Sequence, residues 1–190
     1  MVIFSLAEII RLLIMTAALG YIFMGYIKSP TTLTHTLLSG KKSFDWESFK
    51  FAALVTAPGI ILHEMGHKFV GLFLGVKTEF FASYFGLFLG IFLKWINSPF
   101  IIFAPGYVSL SGTMTEFQRF ATAFAGPAMN LVLFLGAFII LHRKKILTRN
   151  QAIALHLTKQ INLFLFLFNL IPLPPFDGYA IFTSLFRIIF

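Results

Sequence analysis

Long apolar runs separated by short polar stretches dominate the chain. An α-helix rises about 1.5 Å per residue, so about twenty apolar residues are enough to cross the hydrocarbon core of a bilayer. Runs of this length predict membrane helices at 2–27, 51–76, 117–141 and 151–171, and a shorter run predicts a half-length helix at 179–190. The pattern predicts an all-α polytopic membrane protein with about five to six transmembrane helices.

The region 79–112 departs from this helical pattern. Its first part, FFASYFGLFLGIFL, is too short and too interrupted by glycine to predict a spanning helix. Its last part, FIIFAPGYVSLSG, has strand-forming residues on both sides of Pro105-Gly106 and predicts extended strands with a turn there. Non-helical backbone at membrane depth must be shielded by protein or water. We therefore predict a short membrane-embedded β-hairpin or re-entrant region packed against the 51–76 helix, with a hydrophobic surface loop as the alternative.

Polar residues outside these runs predict loops and local contacts. The most polar stretch, 28–50, predicts a loop outside the membrane, and Asp45 at its end could cap the next helix. In the first helix Glu8 and Arg11 stand three apart and could form an ion pair. The N-terminal run has no basic region and no small-residue cleavage site, which predicts a retained helix rather than a signal peptide.

Composition agrees with a membrane protein of one domain. The 190 residues are 58% hydrophobic and 12% charged, about half the charged fraction of a soluble domain. We predict one transmembrane domain over 1–190, with a core at 50–178 and an accessory N-terminal helix at 1–27. The net charge of +8 does not indicate nucleic acid, because the basic residues are scattered at helix ends and in loops. The bilayer is the expected partner.

Three ionisable residues interrupt the 51–76 run: His63, Glu64 and His67. Each costs on the order of 2–3 kcal/mol at the centre of a membrane helix, so such residues are functional candidates. The two histidines stand four apart, on one helix face, and could share a metal ion. Glu64 could then take a proton from metal-bound water, as in HExxH hydrolases. A chance match is the alternative. There is no cysteine, so a metal site must use histidine and carboxylate.

Two further motifs carry polar residues into apolar surroundings. In NLIPLPPFDG, at 169–178, the prolines must stop the preceding helix and present Asp177 from irregular backbone. Alternatively, Asp177 is the N-cap of the last helix. In AGPAMN, at 125–130, Asn130 is a lone amide inside an apolar run, which makes it a functional candidate. Alternatively, it only bonds a carbonyl freed by the nearby proline.

Together, HEMGH at 63–67, AGPAMN at 125–130 and NLIPLPPFDG at 169–178 resemble the motifs of the site-2 protease family of intramembrane zinc metalloproteases. The resemblance covers roughly 50–178 and is to compact members without a PDZ or CBS domain. It implies that one Zn²⁺ per chain is held in the membrane.

The resemblance also implies residue roles. His63, His67 and Asp177 would be the zinc ligands and Glu64 the general base. Asn130 and Asn169 would bind substrate near the metal, and the edge of the hairpin would pair with unwound substrate.

The implied function is hydrolysis of peptide bonds within or near transmembrane helices of membrane-anchored proteins, which is regulated intramembrane proteolysis. The expected partners are a transmembrane protein substrate and an upstream site-1-type protease, and the expected location is the cell membrane, as a multi-pass protein. The alternatives are a non-catalytic homologue that binds membrane helices and a divalent-metal transporter, although no internal repeat of the transporter kind is found. Family topology and the basic loop 142–149 give opposite membrane orientations.

Overall fold

The computed structural model describes residues 3–28, 44–99, 104–144 and 146–190. Within these ranges the chain forms six helices and one two-stranded sheet, in the order α1 Leu6–Phe23, α2 Trp46–Phe73, β1 Lys77–Ala82, α3 Tyr84–Trp95, β2 Gly106–Ser111, α4 Glu116–Arg143, α5 Arg149–Asn169 and α6 Asp177–Ile189. The predicted helical membrane architecture with a small strand region is confirmed. Most of the predicted loop 28–50 lies outside the described residues.

Hydroxyl and carboxylate side chains fix where the long helices begin. Ser5, Thr115 and Thr148 are the N-caps of α1, α4 and α5, and each forms a reciprocal capping box with the residue three positions later. Asp45 caps α2, as predicted, by accepting a hydrogen bond of 2.9 Å from the Ser48 amide. These caps satisfy amide donors that the first helical turn leaves free.

Helices α1, α4 and α5 are long and apolar enough to cross a membrane. The predicted span 51–76 corresponds to α2, which has 28 residues but is not one of these three helices. Half of its residues are buried, and it packs against α1, α4, α5 and both strands. Because the buried half of α2 faces protein, it can carry polar residues that a lipid-facing surface could not.

The two strands pair antiparallel, from Lys77 opposite Ser111 to Ala82 opposite Gly106. The prediction of a hairpin turn at Pro105-Gly106 is therefore wrong. The partner of β2 precedes α3, and the expected first strand at 100–103 lies outside the described residues. Pro105-Gly106 is a local turn signal, but the strand that pairs with β2 lies further back in the chain. The Ser83 hydroxyl caps α3, so β1 ends at Ala82 and its partner strand follows only after α3.

The predicted ion pair between Glu8 and Arg11 does not form. Arg11 Nη1 instead lies 2.8 Å from Glu79 Oε1 and donates to the carbonyl of Phe80, also at 2.8 Å. Glu8 Oε1 accepts from the Phe80 amide at 2.8 Å and pairs with the Lys68 ammonium at 2.5 Å. The side chains of Glu8 and Arg11 both reach from α1 to β1, where they bond the backbone of Phe80 instead of each other. The sheet is thereby held against α1 and α2.

Candidate metal centre

Helix α2 places His63, Glu64 and His67 inside the protein, with exposed fractions of 7%, 8% and 8%. The spacing of four residues puts both imidazoles on one helix face, and their Nε2 atoms lie 3.1 Å apart. Glu64 lies close enough to interact electrostatically with both histidines and with Asp177. The predicted cluster on α2 is thus present and buried.

Asp177 comes to the same place from the other end of the chain. Its Oδ2 lies 3.1 Å from His63 Nε2 and 3.4 Å from His67 Nε2. The alternative that Asp177 is the N-cap of the last helix is wrong, because the N-cap is Phe176 and Asp177 is the first residue of α6. Gly178 allows this placement, since a Cβ there would lie 2.5 Å from the Ile171 carbonyl oxygen. Three potential ligand atoms therefore converge from two distant motifs.

Hydrogen bonds on the far side of each ring fix the imidazole tautomers. His63 Nδ1 lies 2.6 Å from Asn130 Oδ1, and His67 Nδ1 lies 2.7 Å from the Thr122 carbonyl oxygen. Oxygen atoms of this kind only accept, so both Nδ1 atoms carry a proton, and in neutral imidazoles both Nε2 atoms then present a lone pair. Hydrogen bonding of the second nitrogen in this way is typical of metal-bound histidine.

The arrangement fits a zinc ion. Two Nε2 lone pairs face a carboxylate oxygen, and Asp177 Oδ2 is a buried atom with no hydrogen-bond partner in the described part of the chain. Three electron-pair donors at this separation repel one another unless a cation lies between them. Two histidines and one carboxylate are a known catalytic zinc ligand set, with distances of about 2.0–2.2 Å.

Helix α4 passes the metal-binding side of the imidazoles at Gly126, which has no side chain. A Cβ at Gly66 would lie 2.6 Å from the Ala125 carbonyl oxygen, so the backbones of α2 and α4 touch there. A Cβ at Gly126 would collide with His67 Nε2 and would lie 2.8 Å from His63 Nε2. The AGPAMN motif thus leaves the metal-binding side of both imidazoles clear.

Asn130 stands next to the metal centre, as the resemblance implied, in direct contact with His63. It is fully buried on the side of His63 opposite the ligand atoms, and its Nδ2 donates to the Gly59 carbonyl and to Asn162 Oδ1, each at 2.9 Å. Asn130 therefore contacts the ring of His63 directly, and its role in substrate binding stays a prediction. Asn169 Nδ2 donates to Leu165 of its own helix at 2.9 Å, and its role in substrate binding stays a prediction.

The family model described as "Peptidase family M50" matches residues 51–154, which is more than half of the chain. The chain belongs to peptidase family M50. This confirms the resemblance to the site-2 protease family. The segment of this M50 chain that matches the model includes His63, Glu64, His67 and Asn130, whereas Asp177 lies beyond it.

Two curated proteins that are similar to this M50 chain are both named as putative zinc metalloproteases. It is 33% identical over 179 residues to "Putative zinc metalloprotease MJ0611" of Methanocaldococcus jannaschii, covering 92% of this chain and 83% of the relative. It is 34% identical over 140 residues to "Putative zinc metalloprotease sll0528" of Synechocystis sp., covering 74% of this chain. The match spans only 32% of the Synechocystis protein. Both names agree with the zinc ligand set that the structure brings together.

Proposed function

We propose that this protein is an intramembrane zinc endopeptidase that hydrolyses peptide bonds within or near transmembrane helices of membrane-anchored proteins. The observation that carries the proposal is the convergence of His63, His67 and Asp177 inside a helical membrane protein. A metal ligand set in such a place offsets the cost of burying three ionisable groups. Membership of peptidase family M50 supports the same chemistry.

His63, His67 and Asp177 would hold the zinc ion. When bound, zinc supplies Lewis-acid polarisation of a peptide carbonyl and makes water a stronger acid. Glu64 follows the first ligand on α2 and is buried beside the cluster. There it can accept a proton from the attacking water and pass it to the departing amine. Asn130 and Thr122 hold the two imidazoles in the orientation that this chemistry needs.

A transmembrane substrate must unwind before its peptide bonds can be cleaved, and its freed amides then need partners in the membrane. Strand β2 can offer them. Phe80 directs its amide and carbonyl to α1, so it forms a non-hydrogen-bonded pair with the opposite residue, Val108. Val108 therefore directs its own amide and carbonyl to the other edge of the sheet. An extended substrate segment could add to this edge as a third strand.

The proposal places the protein in the cell membrane, as a multi-pass enzyme acting on a transmembrane protein. A site-1-type protease that first shortens the substrate outside the membrane is the further partner that we expect. Three membrane-capable helices in the described residues support the membrane location.

The test uses the purified full chain reconstituted with a single-span membrane protein as substrate. We expect Glu64→Gln to abolish cleavage while zinc remains bound, because it removes the base and keeps the three ligands. Glu47→Gln, an exposed acid on the same helix, is the matched control and should cleave normally.

Cleavage by Glu64→Gln at the wild-type rate would refute the mechanism. Wild-type protein that binds zinc and a membrane helix but cleaves no peptide bond would favour the helix-binding alternative. Metal flux into proteoliposomes without cleavage would favour the transporter.

A further inference from the structure

A buried row of side-chain amides leads from α5 to the metal centre. Asn162 of α5 and Asn130 of α4 are both fully buried, and they are joined by a hydrogen bond from Asn130 Nδ2 to Asn162 Oδ1 of 2.9 Å. Asn130 Oδ1 in turn accepts from His63 Nδ1. We call Asn162, Asn130 and His63 the amide relay. A buried polar chain across three helices is costly unless every group is bonded.

Two backbone carbonyls fix the direction of every hydrogen bond in the relay. Asn162 Nδ2 donates to the Thr158 carbonyl at 2.8 Å, which turns Asn162 Oδ1 toward Asn130. Asn130 Nδ2 donates both to that oxygen and to the Gly59 carbonyl at 2.9 Å. Carbonyl oxygens only accept. If Asn162 turned over, its oxygen would face the Thr158 carbonyl oxygen. If Asn130 turned over, its oxygen would face both the Gly59 carbonyl oxygen and Asn162 Oδ1.

We propose that Asn162 is a positioning residue for the metal centre: through Asn130 it holds the proton of His63 on Nδ1 and leaves Nε2 free to bind the metal. If Asn130 turned over, its amide protons would face Nδ1, and His63 would have to carry its proton on Nε2, where the metal binds. His67 needs no such relay, because the Thr122 carbonyl accepts from its Nδ1 directly.

The packing around Asn162 fits this role. A Cβ at Gly59 would lie 2.9 Å from Asn162 Oδ1, so α2 leaves space for the amide between itself and α5. Asn162 is also the buried residue of α5. The relay thus lies where α5 is most deeply buried, next to α2.

The test measures zinc affinity of the metal-free full chain in detergent, together with the visible spectrum of the Co²⁺-loaded protein. Loss of an outer partner of a metal ligand typically weakens binding about 10–100-fold. We expect Asn130→Leu to fall in this range and Asn162→Leu, one step further away, to weaken zinc binding about tenfold with an altered Co²⁺ spectrum. Gln160→Leu, which replaces an exposed amide on the same helix, is the control and should bind zinc normally.

A conservative variant separates positioning from packing. A neutral aspartic acid at position 162 can donate to the Thr158 carbonyl and accept from Asn130, which reproduces the bonds of the native amide. We therefore expect Asn162→Asp to keep nearly wild-type zinc affinity. This variant also carries the test if Asn162→Leu fails to fold. Equal loss of zinc affinity in folded Asn162→Asp and Asn162→Leu would overturn the proposal.

A double variant tests whether Asn162 acts through Asn130. If it does, adding Asn162→Leu to Asn130→Leu should cause no further loss of zinc affinity, because the relay is already broken. Additive losses would overturn the proposal. The inference rests on the metal centre of the proposed function, but its readout is metal binding. Wild type that binds zinc and cleaves nothing would therefore refute the peptidase and leave this test intact.

Discussion

The ammonium of Lys68 lies 2.5 Å from the carboxylate of Glu8, and their side chains are only 2% and 4% exposed. Lys68 directly follows His67, a candidate metal ligand, whereas Glu8 belongs to the first helix, 60 positions earlier. The same carboxylate oxygen accepts from the Phe80 amide of β1. One buried ion pair therefore links α1, α2 and the sheet.

Removing one partner of this ion pair should strongly destabilise the fold. Glu8→Ala leaves the Lys68 ammonium buried without its counter-charge, which typically costs about 3–5 kcal/mol. Thermal unfolding of the purified protein in detergent measures the loss. Glu47→Ala is the control, because the pair between Glu47 and Lys50 is exposed and is worth about 0–1 kcal/mol. A Glu8→Ala variant as stable as this control would contradict the role given to the pair.

A methyl group at Gly126 should damage the metal centre. The added Cβ would collide with the Nε2 atoms of His63 and His67, so the imidazoles would have to move. We expect Gly126→Ala to weaken zinc binding at least about tenfold, as for other changes beside metal ligands. Gly136→Ala on the same helix is the matched control, since a Cβ there meets nothing within 4 Å. Isothermal titration with zinc compares the two, and equal affinities would contradict the geometry.

Loss of the third ligand should release the metal. In Asp177→Ala the two imidazoles remain but the carboxylate from α6 is missing, so zinc per chain should fall well below the value of about one expected for the wild type. Elemental analysis after dialysis measures this ratio. Glu64→Gln serves as the control, because Glu64 is not one of the three converging ligands. Full zinc content in Asp177→Ala would show that the distant motifs do not share an ion.

The outer edge of β2 should matter for helical substrates. Val108→Pro removes an amide that faces away from β1, so the ladder between the strands should survive. We expect cleavage of a transmembrane substrate to fall about tenfold, for the loss of about one hydrogen bond to substrate. Cleavage of a short unfolded peptide should fall less.

Ser109→Pro provides the contrast to Val108→Pro. The Ser109 amide faces β1, because Ser109 pairs with Glu79 one position away from the Phe80–Val108 pair. This variant should lose protein stability as well as activity. If both proline variants cleaved the transmembrane substrate at the wild-type rate, the substrate would not add to this edge.

The local parts of the site could be predicted from the sequence because they depend on short spacings. His63 and His67 are four residues apart, and any two helical residues at that spacing share a face. The prolines after Asn169 had to end α5 near the observed boundary. The convergence of Asp177 with the histidines required the family resemblance, because no periodicity relates residues more than a hundred positions apart.

Contacts between distant segments account for the features that the sequence did not predict. The pairing of Glu8 with Lys68 instead of Arg11 depends on how α1 lies against α2 and β1. The partner of β2 is separated from it by α3, so the local turn signal at Pro105 was misleading. Asn162 is one of several amides in α5, and nothing in the sequence indicates that it, and not Gln160, reaches toward His63.

The position of Asp177 at the first turn of the last helix has a consequence during biosynthesis. A nascent chain that has been made only through α5 holds two imidazoles but no carboxylate to complete the set. Zinc sites of this kind need all three protein ligands, so the ion cannot be held firmly until α6 has docked against the rest of the protein. Before that point the proposed peptidase would therefore lack its metal and could not cut neighbouring membrane proteins.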